Sequence, residues 1–262
     1  MTDPLWRGPI RLIRSPPHDA ALNMALDEAM LRGAARQQTV SIRLYQWDRA
    51  SVSFGRNQRC AGIYSAERCA AAGVPAVRRL TGGRALLHGA ELTYCVAAPT
   101  TLAPTLRGGY EAINALLVRA LAILGVPAER ATPRTRTPSP GLAPCFEVPS
   151  AGELVVHGRK LVGSAQHREA DAFLQHGSIL LDDNQSMLAG LAEVALPAVP
   201  PPATLRELAG EINFDHVADA IVHAIRNCAD GTILGSVDAD LDAHDVETAL
   251  SRYRDPRWTW RR

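Results

Sequence analysis

Residues 129–144, ERATPRTRTPSPGLAP, carry four prolines and three arginines. Proline has no amide hydrogen to give to a helix interior or a sheet ladder, so neither element can run through this stretch. It reads as a long loop, a class often given over to function or motion. The loop divides the chain and leads directly to a cysteine, Cys145. Three strand-like runs follow at 153–157, 160–166 and 173–181.

Upstream, apolar residues recur with two periods. Residues 8–14, 40–46, 51–55 and 75–79 read as strands. SPPHD opens a helix that keeps Leu22, Leu26, Ala29 and Met30 on one face, and Asn23, Asp27 and Glu28 are assigned to its solvated side. Residues 65–73 form a short Ala-rich helix, and 85–99 a hairpin or paired strands broken at His88–Gly89. The clearest helix spans 108–124, with Tyr110, Ile113, Leu117, Ala120, Leu121 and Leu124 on one face. Beyond Asp183 come a helical NQSMLAGLAEV, a linker-like Pro run at 197–205, an amphipathic helix carrying Val217, Ile221 and Ile225, and another helix at 243–253. The expected class is α+β: a mixed or antiparallel sheet in the first 180 residues, packed with helices, and a short helical C-terminal extension.

With 262 residues, 47% of them hydrophobic, the chain can bury one large core. A formal charge of +1 points to no nucleic acid and no membrane. TDPLWRGPI after Met1 lacks a signal pattern, so a soluble, cytoplasmic protein is expected. Five cysteines (Cys60, Cys69, Cys95, Cys145, Cys228) without a CxxC pair argue against zinc and a disulfide framework. Cys69, Cys95 and Cys228 fit small buried hydrophobes, while Cys60 follows NQR in a loop where it could be exposed, with nothing nearby to activate it. No HxxxH, HExxH or carboxylate cluster suggests a metal, and no GxSxG elbow is present.

Two places could carry chemistry. Thr81-Gly82-Gly83-Arg84, flanked by Arg78 and Arg79 with His88 beyond, is either a tight turn or a loop where backbone and guanidinium forks meet an anion. It matches neither GxxxxGK[ST] nor GxGxxG. Cys145 and Lys160 lie fifteen residues apart. An ammonium would favour the thiolate, and a neutral lysine could serve as base. Taken by themselves, His157, His167 and His176 read as structural.

The stretches NMALDEAM, RLYQW, RRLTGGRALLHGAELTYCV, CFEVPSAGELVVHGRKLVGSAQ and LQHGSILL, in this order, resemble the lipoate–protein ligase, biotin–protein ligase and octanoyltransferase superfamily over about residues 8–195. Within it, the chain is most similar to the cysteine-dependent octanoyltransferases. The resemblance implies a catalytic acyltransferase domain at 1–195, with 196–262 as a Pro-rich connection and helical extension of the same domain. It implies Cys145 as acyl-accepting nucleophile and Lys160 as the group that positions the acyl carbonyl or activates the thiol. Arg78, Arg79, Thr81, Gly82, Gly83, Arg84, His88, Gly163, Ser164, Ala165, His176 and Gly177 would line the substrate site. Gly89 and Gly152 depart from the family pattern, which has an Asp and an aromatic there.

The implied reaction is ping-pong, without metal or cofactor. Octanoyl would pass from acyl carrier protein to Cys145, then to a lysine of a lipoyl-domain protein such as the glycine cleavage H protein. The alternatives are an ATP-dependent lipoate–protein ligase, an amidotransferase between lipoyl-domain proteins, and a non-catalytic carrier binder. Alternation suggests Val77, Leu86, Val162 and Ile179 as walls of an acyl slot, where about six methylenes at ~0.8 kcal/mol each would contribute around 5 kcal/mol. Arg78, Arg79, Arg84, Arg130, Arg134 and Arg136 are candidates for a basic rim facing acidic partners.

Overall fold

Asp19 starts the first long helix: its backbone is extended and its side chain accepts the Leu22 amide, satisfying one of the four unpaired N–H groups of a helix start. The computed structural model describes residues 3–131, 152–197 and 200–261. Cys145, Arg134 and Arg136 lie outside the described residues, as does most of the Pro-rich loop. After a short 3-10 turn (Pro4–Trp6) come β1 (Ile10–Arg14), α1 (Ala20–Gln37), β2 (Val40–Tyr45), β3 (Ser51–Phe54), α2 (Ala66–Ala71), β4 (Ala76–Arg78), β5 (Leu86–His88) and β6 (Glu91–Pro99). Next are α3 (Leu106–Ile123), β7 (Glu129–Arg130), β8 (Leu154–Val156), β9 (Arg159–Arg168) and β10 (Ala172–Leu180). The remainder gives α4 (Leu188–Leu191), α5 (Leu205–Ala209), α6 (Phe214–Cys228), β11 (Ile233–Ser236), α7 (Ala243–Arg254) and α8 (Pro256–Thr259).

The architecture is α+β. Among the described residues, eight strands form one sheet in the order β11-β1-β2-β6-β10-β9-β8-β7, and three form a second, β4-β3-β5. The large sheet is mixed: β1 is parallel to β2 and β11, while β2–β6, β6–β10 and β10–β9 are antiparallel. Two expectations change. β5 and β6 do not pair; β5 joins β3 in the small sheet, and the break at His88–Gly89 carries the chain between sheets. The large sheet also reaches past residue 180, because β11 adds to its edge beside β1.

Alternation along β10 shows how the layers sit. Phe173 and Ile179 enter the core under α3 and α6, with Ile113, Leu117, Ile221 and Ile225. Leu174 turns to the other face, into the core under α1, and α7 packs outside α1 through Ala249 and Tyr253. Leu180, on that same face, meets Leu86 of the small sheet. The small sheet has its own core of Val52, Phe54, Tyr64, Cys69 and Leu191. It is thereby held over the α1 side of the large sheet, next to the end of β10. The Pro run is packed in: the Ala203 amide donates to the Lys160 carbonyl (3.0 Å), and Ala203 and Leu205 are fully buried.

The polar residues of α1 reverse an expectation. Asn23, Asp27 and Glu28 are all buried. Asn23 donates to the carbonyls of His18 and Gln46 (3.1 Å each). Glu28 accepts from Arg32, Arg252 and the Tyr253 hydroxyl, so α7 is fastened to α1 by a buried carboxylate. Among the described residues, no helix is long and apolar enough to cross a membrane.

Candidate functional site

The Thr81–Arg84 loop is built by the two arginines before it. The Arg79 guanidinium donates to the Ser53 carbonyl (3.0 Å), the Ser53 hydroxyl (2.8 Å) and the carbonyls of Gly82 (3.0 Å) and Arg84 (2.8 Å). Arg78 is fully buried and donates to the carbonyls of Gly55 (2.6 Å), Gln58 (2.8 Å) and Thr259 (2.9 Å). Both head groups are therefore committed to main-chain oxygens. Neither belongs to a solvent-facing rim, which corrects that part of the expectation; Arg84 is half-buried and Arg130 exposed. Gly83 sits at φ +97, where a Cβ would come within 2.6 Å of Arg79 Nη2. A Cβ on Gly55 would collide with the Gly83 carbonyl, whereas Gly82 faces open space. The loop thus exposes backbone at Gly82 from a rigid base.

Two histidines support it from beneath. His176 Nε2 lies 2.7 Å from Thr81 Oγ1, and its Nδ1 lies 2.9 Å from Asp27 Oδ2. Asp27 also accepts from Tyr45 Oη (2.9 Å) and Arg43 Nη1 (3.1 Å). With the carboxylate on Nδ1–H, Nε2 is left to accept the Thr81 hydroxyl proton. A second chain is parallel in design. His88 Nδ1 is 2.6 Å from Glu91 Oε1, and its Nε2 is 2.8 Å from Ser53 Oγ. Trp47 stacks on the ring at 3.8 Å and donates its indole N–H to Thr93 (3.0 Å). Burial holds the His88 imidazole below its ordinary value, against the pull of Glu91. Both nitrogens of each histidine are engaged, so these rings fix the loop. The Glu91 carboxylate also accepts the Gly89 and Ala90 amides (2.7 and 2.9 Å), and Gly89 lies at φ +124, a backbone suited to glycine at this departure from the family pattern.

Lys160 is buried, with Nζ 2.7 Å from Glu153 Oε1. It pairs with Val155 across β8–β9, beside a bulge. Leu154 and Val156 belong to the core under α3 and α6, and Val155 does not, so Val155 and Lys160 face the other way. That is the face of His176 and the Thr81–Arg84 loop. Gly163, paired with Ser178, and Ala165, paired with His176, share it. Ser164 and Gly177 do not. Ser164 Oγ bonds Tyr94 Oη (2.7 Å) on the α3 side. Gly177 is a packing glycine whose Cβ would strike the Gly163 carbonyl and come 2.8 Å from the Tyr94 ring. Val162 and Ile179 likewise point into the α3–α6 core, Val77 into the α1 core, and Leu86 onto Leu180, so the four expected acyl walls share no slot. Gly152 stands at φ +88 with its carbonyl held by Asn114 (2.6 Å), and a Cβ there would lie 3.2 Å from Tyr110.

The described cysteines are buried. Cys60, read in a loop that could expose it, is buried and lies 3.0 Å from Arg78 Nη2; burial raises its thiol despite that cation. Burial pushes Cys69 up to about 11 and raises Cys95 well above its ordinary value. Sequence reasoning missed Asp27, Arg43, Tyr45, Glu91 and Glu153. Of these, Glu91, three residues after His88, and Glu153, on one arm of a hairpin whose other arm carries Lys160, had a local signal.

Residues 19–226 match the model of the lipoyl protein ligase A/B catalytic domain. The chain is 35% identical to octanoyltransferase LipM of Kyrpidia tusciae, covering 96% of this chain and 98% of that one. It is 32% identical to octanoyltransferase LipM of Exiguobacterium sp. (strain ATCC BAA-1283 / AT1b), over the whole of both. Among solved structures, a lipoate-protein ligase A bound with ATP shares the fold with a TM-score of 0.74 at 18% identity, covering 97% of this chain and 98% of that one. The bipartite lipoate protein ligase of Thermoplasma acidophilum does so with 0.74 at 18%, covering 97% and 96%. A family model that spans most of the chain, with relatives alike from end to end, shows that this protein belongs to the lipoyl protein ligase A/B catalytic domain family.

Proposed function

We propose that this chain is a protein N-octanoyltransferase that moves octanoyl from acyl carrier protein, through a thioester on Cys145, to a lysine of a lipoyl-domain protein. The observation that carries this reading is the end-to-end likeness to proteins named octanoyltransferase. Elimination among the cysteines supports it. Cys60, Cys69, Cys95 and Cys228 are buried, and burial disfavours the thiolate in the first three. Cys145, in CFEVPS, is the remaining thiol.

In the first step the Cys145 thiolate bonds to the thioester carbonyl carbon, and the carrier's sulfur leaves as thiolate. In the second, the acceptor amine attacks that carbon, gives up a proton and becomes the amide, while Cys145 regains its sulfur electron pair and a proton. Lys160, paired with Glu153, serves as an ammonium that donates to the carbonyl oxygen; an ammonium so paired has no lone pair for a base. The donor arrives activated, so no nucleotide is consumed. Arg84 and Arg130 remain as rim residues for acidic partners.

Incubation with octanoyl-carrier protein followed by mass spectrometry tests the reading. A hydroxylamine-labile octanoyl adduct on Cys145, absent in Cys145→Ala, is expected. Modification of the acceptor by ATP and free lipoate, with no adduct from the thioester, would show a ligase instead. Transfer that starts only from octanoyl already on a lipoyl-domain lysine would show an amidotransferase.

A further inference from the structure

Ser178 lies on β10 between His176 and Leu180, on the face that carries the Thr81–Arg84 loop and Lys160. It is 1% exposed, and its hydroxyl finds no hydrogen-bond partner among the described residues. The other such atoms stand elsewhere: Tyr64 Oη in the small-sheet core, Asn114 Oδ1 on α3 and Arg252 Nε on α7. Polar neighbours of Ser178 are already engaged. His176 holds Thr81 and Asp27, and Thr93, directly across β6, holds Trp47. A buried hydroxyl without a partner costs stability, and alanine in its place would remove the cost. A serine at this point is thus unfavourable for folding alone.

Its surroundings show what it could bind. Across β9, Ser178 is paired with Gly163, which places no side chain on this face. Owing to the bulge between β8 and β9, the next residue of β9 toward its start that turns to the same face is Lys160. A hydroxyl and an ammonium therefore flank a glycine, roughly 7 Å apart along the strand at about 3.3 Å per residue. Two donors on one face, beside a position without a side chain, suit a carbonyl oxygen that gains negative charge.

We propose that Ser178 is a catalytic residue whose hydroxyl donates to the acyl carbonyl oxygen seated over Gly163, opposite Lys160. The inference rests on the transferase reading. As the attacking thiolate bonds to the carbonyl carbon, the carbon–oxygen π pair moves onto oxygen, and Ser178 O–H and Lys160 N–H hold the oxyanion. The pair returns as the carrier's sulfur departs, so Ser178 loses no proton.

The test compares wild type, Ser178→Ala and Ser178→Thr in single-turnover acylation by octanoyl-carrier protein, together with thermal melting. Ser178→Ala is expected to acylate about 100- to 1000-fold more slowly, the range for loss of a single oxyanion donor. Its KM should be unchanged and its melting temperature equal to or above wild type. Ser178→Thr, which keeps the hydroxyl, should recover much of the rate. An acylation rate in Ser178→Ala within twofold of wild type overturns the proposal. So does a loss of rate matched by a loss of thermal stability, which would mark a structural serine. A wild-type protein that forms no adduct overturns the transferase reading first, and this inference with it.

Discussion

Asp27 shows how much one buried carboxylate can organise. It faces Arg43, Tyr45 and His176 at once, and through His176 it reaches Thr81 at the head of the glycine loop. Arg43 is itself fully buried, so Asp27→Asn leaves a guanidinium short of its nearest charge. Breaking a buried pair on one side costs about 3–5 kcal/mol. The lower end is expected here, because Asn23 (2.8 Å) and Asp238 (3.4 Å) still touch Arg43. Denaturant unfolding should show a loss of about 3 kcal/mol, partly restored by adding Arg43→Met; a wild-type midpoint in Asp27→Asn would refute this. None of this was legible from α1. A polar residue four positions from another looks the same on a wet face as on a buried one. What distinguishes them is the partner, and here the partners lie on β2 and β10. The Lys160–Glu153 pair was nearer to view, since both sit on one hairpin, yet only the fold shows that they share a face with His176.

At the level of the element, the β4–β5 connection was recognisable as a glycine loop between arginines. Which glycine is steric and where the arginines turn were not. The motif is equally compatible with guanidinium forks aimed at a ligand and with guanidinium groups folded back on carbonyls. The second holds, because β3 and the residue that follows it place the Ser53 and Gly55 carbonyls within reach. Gly55, packed under the loop, and Gly82, within it, should therefore respond differently. In Gly55→Ala the new methyl meets the Gly83 carbonyl, which belongs to backbone that cannot rotate aside. A loss of about 1–3 kcal/mol is expected, together with a fall in acylation rate of about tenfold or more as the loop shifts. Gly82→Ala has open space and an ordinary φ, so its stability should stay within about 0.5 kcal/mol of wild type. Equal stabilities of the two variants would contradict the packing described. The pairing of β5 away from β6 escaped the sequence for a related reason: two apolar runs separated by a glycine look like a hairpin, and only the sharp turn at Gly89 shows that they part.

On the scale of the whole molecule, the end of the chain returns to brace its beginning. β11 extends the sheet beside β1, Asp238 receives Ser15 (2.5 Å) and His18 (2.7 Å), and Arg78 is bonded to the Thr259 carbonyl while its own carbonyl accepts the Trp258 indole (2.8 Å). The longer helices of this region, α6 and α7, were visible from their periods, while α8 was not; β11, four residues on an edge and largely open to solvent, carries no alternation to read. Because the two sheets and the C-terminal segment lock together around the site, groups that titrate within it should report on global stability. Burial depresses His88, and burial with the Arg56 cation depresses His167. A histidine with a lowered native pKa binds fewer protons folded than unfolded, between its depressed value and the ordinary value of about 6.5. Stability in that window rises with pH. It is fully present above about pH 6.5 and is lost as pH falls, at no more than about 1.4 kcal/mol per pH unit for each such histidine. Asp238 acts lower down: although burial opposes it, hydrogen bonds from Ser15 and His18 and the Arg43 charge hold its pKa below the ordinary value. Its contribution is present above about pH 4 and disappears below. Urea unfolding at pH 7.5 and 5.5 therefore isolates the histidines. The midpoint should be lower at pH 5.5, and a midpoint that held steady or rose would show that the depressed imidazoles of His88 and His167 do not couple to folding.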